Sequence, residues 1–150
     1  MRKKNKEITD PQALLAVIDK AEVCRLGMSL NDRPYIVPLN FGYRDQTLYF
    51  HCALEGKKLD ILKANPHVCF EMDVDVELKP GPHACKWDTE YKSIIGFGVA
   101  DMITDHEEKK KALDVIMSHY TEPPFEYREH SVEQALIIRV QIHEMTGKQA

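Results

Sequence analysis

The sequence predicts a mainly β fold with peripheral helices, built on an antiparallel sheet of about six strands curled into a small closed or split barrel. Three observations lead there. Short apolar runs such as Val23 to Leu30, Tyr35 to Phe41 and Leu48 to Cys52 follow one another through tight polar turns. Helix starts are few, at Asp10-Pro11, Gly56 and Asp105. Strands and helices do not alternate in the regular pattern of a parallel sheet.

Taken in order, residues 1–9 carry the basic run Arg2-Lys3-Lys4 and are expected to form a flexible tail. Asp10 is an N-cap with proline at the first helical position, and Leu14, Val17, Ile18 and Ala21 recur at helical spacing, predicting a helix over 11–20. Val23 to Leu30 reads as a strand, and Asn31-Asp32 turns the chain into the next strand, Tyr35 to Phe41. Gly42 to Gln46 is a polar turn before Leu48 to Cys52. Glu55-Gly56-Lys57-Lys58 opens a helix that Pro66 must stop, with Leu59, Ile61 and Leu62 inward.

Val68 to Leu78 alternates in its second half, placing Val74, Val76 and Leu78 on one face. Lys79 to Pro82 is a loop. Tyr91 to Ile103 is a long apolar strand in which Gly96 and Gly98 signal a bend or close backbone approach. A helix capped by Asp105 presents Leu113, Ile116, Met117 and Tyr120 as its apolar face, and Pro123-Pro124 breaks it. Ala135 to Ile142 is the final strand. Trp87, the one tryptophan, is expected to cap the core rather than shield a pocket.

Composition narrows the function. The 150 residues form one domain, 1–150. A net charge of −4 disfavours a nucleic-acid partner, and no apolar run reaches the ~20 residues of a membrane helix. A cytoplasmic protein with four reduced thiols is expected. The pairs His51-Cys52, His67-x-Cys69 and His83-x-Cys85 lack the usual zinc spacings, so no metal is expected. There is no Gly-x-Ser-x-Gly elbow, and Ser93 lies inside an apolar strand.

The positive signal is the start of the second predicted helix. Free N–H groups after Gly56, the positive end of the helix dipole, and Lys57 and Lys58 favour an anion. It matches neither the Walker phosphate loop nor the dinucleotide fingerprint. Beside it, aromatic and apolar strand ends suit a flat phosphorylated cofactor.

Val37-Pro38-Leu39-Asn40-Phe41-Gly42-Tyr43, Leu48-Tyr49-Phe50-His51-Cys52-Ala53, Glu55-Gly56-Lys57-Lys58, Asn65-Pro66-His67-Val68-Cys69-Phe70 and Tyr91-Lys92-Ser93-Ile94-Ile95-Gly96-Phe97-Gly98 together resemble the FMN-binding split barrels related to pyridoxamine 5′-phosphate oxidase, within them the 5-nitroimidazole resistance branch. The resemblance implies a homodimer with FMN bound where two barrels meet. It implies that Val37, Pro38, Leu39 and Asn40 line the flavin ring, largely through backbone groups. Phe50, His51 and Cys52 would continue that wall, Gly56, Lys57 and Lys58 would hold the phosphate, and Ser93 would reach the flavin of the partner subunit.

The first flavin strand has Ile36 and its neighbours where the oxidase proper has an arginine, and the oxidase's arginine- and tryptophan-bearing C-terminal segment is missing. Pyridoxamine oxidation is therefore disfavoured. The expected activity is FMN-dependent reduction of a small electrophile such as a nitroimidazole, by electrons from a separate donor. The alternative is a flavin-binding or flavin-storage module without a substrate, and no acid or base in the sequence separates the two.

Overall fold

The computed structural model describes residues 4–150, so Arg2 and Lys3 of the basic run lie outside the described residues. Eight strands form one antiparallel sheet: β1 (Glu7–Ile8), β2 (Cys24–Leu30), β3 (Arg33–Leu39), β4 (Gly42–Arg44), β5 (Thr47–Cys52), β6 (His67–Lys79), β7 (Asp88–Ile103) and β8 (Leu136–Gln149). Four helices surround it: α1 (Pro11–Lys20), α2 (Lys57–Ala64), α3 (His106–Ser118) and α4 (Glu129–Glu133). The order across the sheet is β3-β2-β6-β7-β8-β5-β4, with β1 beside the far end of β8. This is the split barrel: its two edge strands, β3 and β4, are not paired with each other, yet only Asn40 and Phe41 separate them in sequence.

Local chemistry sets the elements. The Asp10 carboxylate accepts from Gln12 N at 3.1 Å, and that of Asp105 from Glu108 N at 2.9 Å, so each caps a helix. Two-residue turns close two hairpins, Asn31-Asp32 between β2 and β3 and Asp45-Gln46 between β4 and β5; all four residues have positive φ. That left-handed pair matches the right-handed twist of the flanking strands. Inside, Phe41, Phe50, Phe70, Leu26, Leu48 and Ile18 are fully buried, each contributing about 1.5–3 kcal/mol on leaving water.

The structure departs from the sequence reading in several places. Gly42–Arg44 is a short strand rather than a turn. Residues 7 and 8, expected in a tail, form β1 against Lys148 and Gly147. β8 runs seven residues beyond Ile142 because Gly147 is buried under Leu14 and Ile8. In β6 the alternation runs from Val68 to Val74; a bulge follows, with Asp75 at φ 56, and Val76 and Leu78 emerge exposed. The buried face of α3 is Lys109, Ala112, Val115 and Ile116, with Ile116 alone shared with the expected face. Trp87 is 50% exposed rather than a cap on the core.

The split is bridged by the end of α3. The Tyr120 hydroxyl accepts from Phe41 N at 3.0 Å and donates to Glu22 O at 2.9 Å. The His119 ring lies 4.3 Å from that of Phe41, and its Nε2 is 2.6 Å from Ala21 O. Helix and link touch so closely that a Cβ at Gly42 would sit 2.5 Å from Val115 O and 2.6 Å from Ile116 N. Gly42→Ala is therefore expected to cost about 1–3 kcal/mol, lowering Tm by ~2–12 °C, because backbone rather than a flexible side chain must move. Thermal unfolding followed by circular dichroism measures it, and an unchanged Tm would show that the link is free to shift.

Candidate functional site

Gly56 has φ 132 and ψ 163, a conformation that side-chain-bearing residues rarely adopt, and this bends the chain into α2. Its carbonyl accepts from Leu59 N at 2.9 Å and Asp60 N at 3.2 Å. No side chain caps the helix, so the N–H groups of the first turn face outward, and a Cβ at Gly56 would meet nothing within 4 Å. Leu59, Ile61 and Leu62 are buried as expected. At the other end Asn65 Nδ2 donates to Ser29 O at 2.9 Å, and Asn65 Oδ1 accepts from His67 N at 3.2 Å. The helix is thus moored to β2 and β6, which fixes the position of its start.

Lys57 and Lys58 diverge. Lys57 Nζ lies 4.4 Å from the centre of the Tyr35 ring on β3. Lys58 is half-buried, and its charge opposes the effect of burial, which pushes the Cys52 thiol up. Among the described residues neither lysine forms an ion pair, Glu55 included. Two cations at one uncapped helix start have no anion of the chain's own.

Beside this start lies an open, largely apolar cavity of about 600 Å3, whose walls include Gly27, Tyr35, Ile36, His67, Cys69 and Phe97. Tyr35 joins the two, since its ring sits under Lys57 and in the cavity wall. Gly27 stands opposite both Ile36 and Cys69 in the sheet, and the side chain it lacks leaves the floor open. Burial first, and then the Glu71 carboxylate, push the Cys69 thiol up, so it remains a neutral wall rather than a nucleophile. In the next row Arg25 pairs with Glu71 at 3.0 Å and with Asp73. Burial and Asp73 raise the Glu71 carboxyl, and Arg25 opposes them.

The residues singled out from sequence fall into four groups. Gly56, Lys57, Lys58 and Cys52 gather at the start of α2. Val37 and Leu39 lean on the core while Pro38 and Asn40 are exposed; β3 is an edge strand, so its outer main-chain groups are unpaired with any strand. His51 is exposed, but Phe50 is fully buried and can offer a ligand only its main chain. Ser93 stands apart, opposite Asp73 and Lys148 and four residues from Phe97 along β7, ~13 Å within one chain. Gly27, Tyr35, Ile36 and Phe97 were not singled out from sequence as site residues; a glycine in mid-strand was the available signal for the first. His67 and Cys69 both line the cavity, and among the described residues no three metal-binding side chains converge.

A split barrel with an uncapped, lysine-bearing helix start beside an apolar cavity is a recognisable class. The sequence profile of the pyridoxamine 5′-phosphate oxidase family matches residues 10–149, and the chain belongs to that family. A crystal structure of a candidate 5-nitroimidazole antibiotic resistance protein from Bacteroides thetaiotaomicron is 36% identical, with a TM-score of 0.85 over 95% of this chain and 86% of that one. The fold is shared with the flavocytochrome Anf3 of Azotobacter vinelandii, at 18% identity and a TM-score of 0.83 over 100% of this chain and 72% of that one. It is shared too with a FAD-binding protein of Mesorhizobium loti, at 24% identity and a TM-score of 0.68 over 94% and 95%. No curated protein matches the chain in sequence. Among the described residues no helix is long and apolar enough to cross a membrane.

Proposed function

We propose that this protein is a cytoplasmic, homodimeric FMN-dependent reductase of small electrophiles such as nitroimidazoles. The observation that carries it is the start of α2, where Gly56 turns outward the N–H groups of the first turn and two unpaired lysines flank them. A phosphate monoester concentrates nearly two negative charges on one group at neutral pH, which two lysines and a helix N-terminus match better than a dinucleotide pyrophosphate, whose two charges sit on separate phosphates. That favours FMN over FAD. The unpaired edge of β3 at Val37 to Asn40 offers main-chain groups to the polar rim of a flavin ring, with Cys52 and the exposed His51 beyond.

Bound FMN supplies the electron-transfer chemistry. The chain's own residues anchor the phosphate, align the ring along β3 and leave an apolar cavity of about 600 Å3, ample for a flat heteroaromatic ring. In this reading His51, exposed on β5, would touch the ring or hand a proton to the acceptor. The Cys69 thiol in the cavity wall and the Cys52 thiol beside the start of α2 are both pushed up by burial, which argues against a covalent thiol mechanism.

The test is anaerobic. The FMN-loaded protein is reduced with a reduced nicotinamide cofactor or dithionite and mixed with a nitroimidazole while flavin absorbance is followed. Reoxidation well above the no-acceptor rate is expected. Tight FMN binding without acceleration would instead identify a flavin-storage module, and failure to bind FMN would remove the cofactor assignment.

A further inference from the structure

β2 and β3 pair from Leu30 and Arg33 at the turn to Cys24 and Leu39 at the far end. A two-residue turn makes Leu30 and Arg33 a hydrogen-bonded pair, and every second pair after it repeats that arrangement. In this register the next such rung beyond Cys24 and Leu39 would join Glu22 to Phe41. It is not closed directly. The Tyr120 hydroxyl stands between the two, accepting from Phe41 N at 3.0 Å and donating to Glu22 O at 2.9 Å.

A side chain from the end of α3 thus occupies a rung of the β2–β3 ladder and holds the two chains apart by one oxygen atom. The wedge is itself anchored. Tyr120 N donates to Met117 O at 2.9 Å, and His119 Nε2 lies 2.6 Å from Ala21 O, next to Glu22. The His119 ring packs 4.3 Å from that of the fully buried Phe41. Glu22 O accepts a second bond, from Asn40 Nδ2 at 3.5 Å. Past the wedge the chain leaves β2 and enters β4, which pairs with β5. The split therefore opens at the rung that Tyr120 fills.

The same alternation turns the main-chain groups of Pro34, Ile36 and Pro38 to the open side of β3, where the prolines have no N–H to offer a further strand. No neighbouring strand holds the rim from Pro38 to Asn40 on that side, and it ends one residue before the wedge.

We propose that Tyr120 is a positioning residue: its hydroxyl sets the distance between Glu22 and Phe41, and with it the place of the Pro38–Asn40 rim against the flavin ring. Without the hydroxyl, Phe41 N and Glu22 O close the rung on each other, and the rim is drawn towards β2. The consequence for the ring rests on the flavin assignment above; the wedge does not.

Tyr120→Phe removes the oxygen and keeps the aromatic ring. Losing one well-placed main-chain hydrogen bond weakens a ligand about 3- to 10-fold, so FMN and riboflavin should lose affinity together by that factor. The visible absorption band of the bound flavin should shift as hydrogen bonding at its rim changes. Tyr127→Phe is the control, since that hydroxyl donates to Asp114 of α3 at 3.0 Å and bonds no residue of β2 or β3. It should lower Tm yet leave both affinities and the band unchanged. Wild-type riboflavin affinity with an unshifted band in Tyr120→Phe, or an equal loss in Tyr127→Phe, would overturn the proposal. The rung is read separately in flavin-free protein, by the NMR coupling across a hydrogen bond from Phe41 N to the Glu22 carbonyl carbon. That coupling should be absent in the wild type and present in Tyr120→Phe; its presence in the wild type, or its absence from the variant, overturns the wedge. A wild type that binds no flavin would defeat the cofactor reading alone, and the coupling would still judge Tyr120.

Discussion

Replacing Phe70 with alanine is expected to remove about 3–5 kcal/mol of stability, a large share of the ~5–15 kcal/mol typical of a domain. Phe70 is fully buried on β6, level with Leu26 of β2 on one side and Gly96 of β7 on the other. Its ring covers that glycine so closely that a Cβ there would lie 2.2 Å from the ring carbon Cζ. The glycine is thus part of the packing of the phenylalanine. Gly96→Ala in the wild type should cost about 1–3 kcal/mol by overpacking. In the Phe70→Ala background the added methyl enters vacated space, and the loss should shrink. It should not vanish, because Glu144 O would still lie 2.8 Å from the new Cβ. Urea unfolding of the four proteins gives the coupling directly, and strictly additive losses would show that ring and glycine do not share one space.

Removing both lysines at the start of α2 should have the largest effect on binding. A charge-assisted hydrogen bond to phosphate contributes about 1.5–3 kcal/mol, so each single alanine variant is expected to weaken FMN roughly ten- to hundred-fold. Lys57 and Lys58 diverge by ~100° around the helix, one over Tyr35 and the other towards Cys52. They therefore approach different oxygens, and Lys57→Ala/Lys58→Ala should lose ~100- to 10,000-fold. Riboflavin lacks the phosphate and should bind all four proteins almost equally. Titration by flavin fluorescence separates the cases, since a parallel loss for riboflavin would mean damage to the ring site. Unchanged FMN affinity in the double variant would leave α2 without a ligand role.

The start of α2 in the candidate site was legible because it depends on local signals. Gly56 and the lysines sit in an unbroken stretch where cap, charge and helix start are neighbours in sequence. The Asn31-Asp32 turn and the Asp10 cap are equally local. What escaped is set by tertiary contact. The polar outer half of β8, with His143, Glu144, Thr146 and Lys148, resembles a tail until β7 and β1 are seen to hold it on both sides. α3 rotates away from its expected face because Gly42 admits its backbone at Val115, and small Ala112 and Val115 then serve better than Met117. The alternation in β6 fails at Asp75 because the sheet no longer flanks the strand there. The cavity escaped because its walls come from four strands, each contributing only a few residues.

The place of β8 has a consequence for how the molecule is made. It is the last strand in chain order, yet it lies between β7 and β5 and also receives β1. While the chain leaves the ribosome, β7 and β5 therefore each wait with one long side of N–H and C=O groups unmatched. Such waiting edges invite pairing with other nascent chains. The β2–β3 hairpin and α2 can form early from neighbouring residues, but the sheet cannot close vectorially. Its completion awaits the emergence of β8, and shielding of the two waiting strands until then becomes a condition of yield.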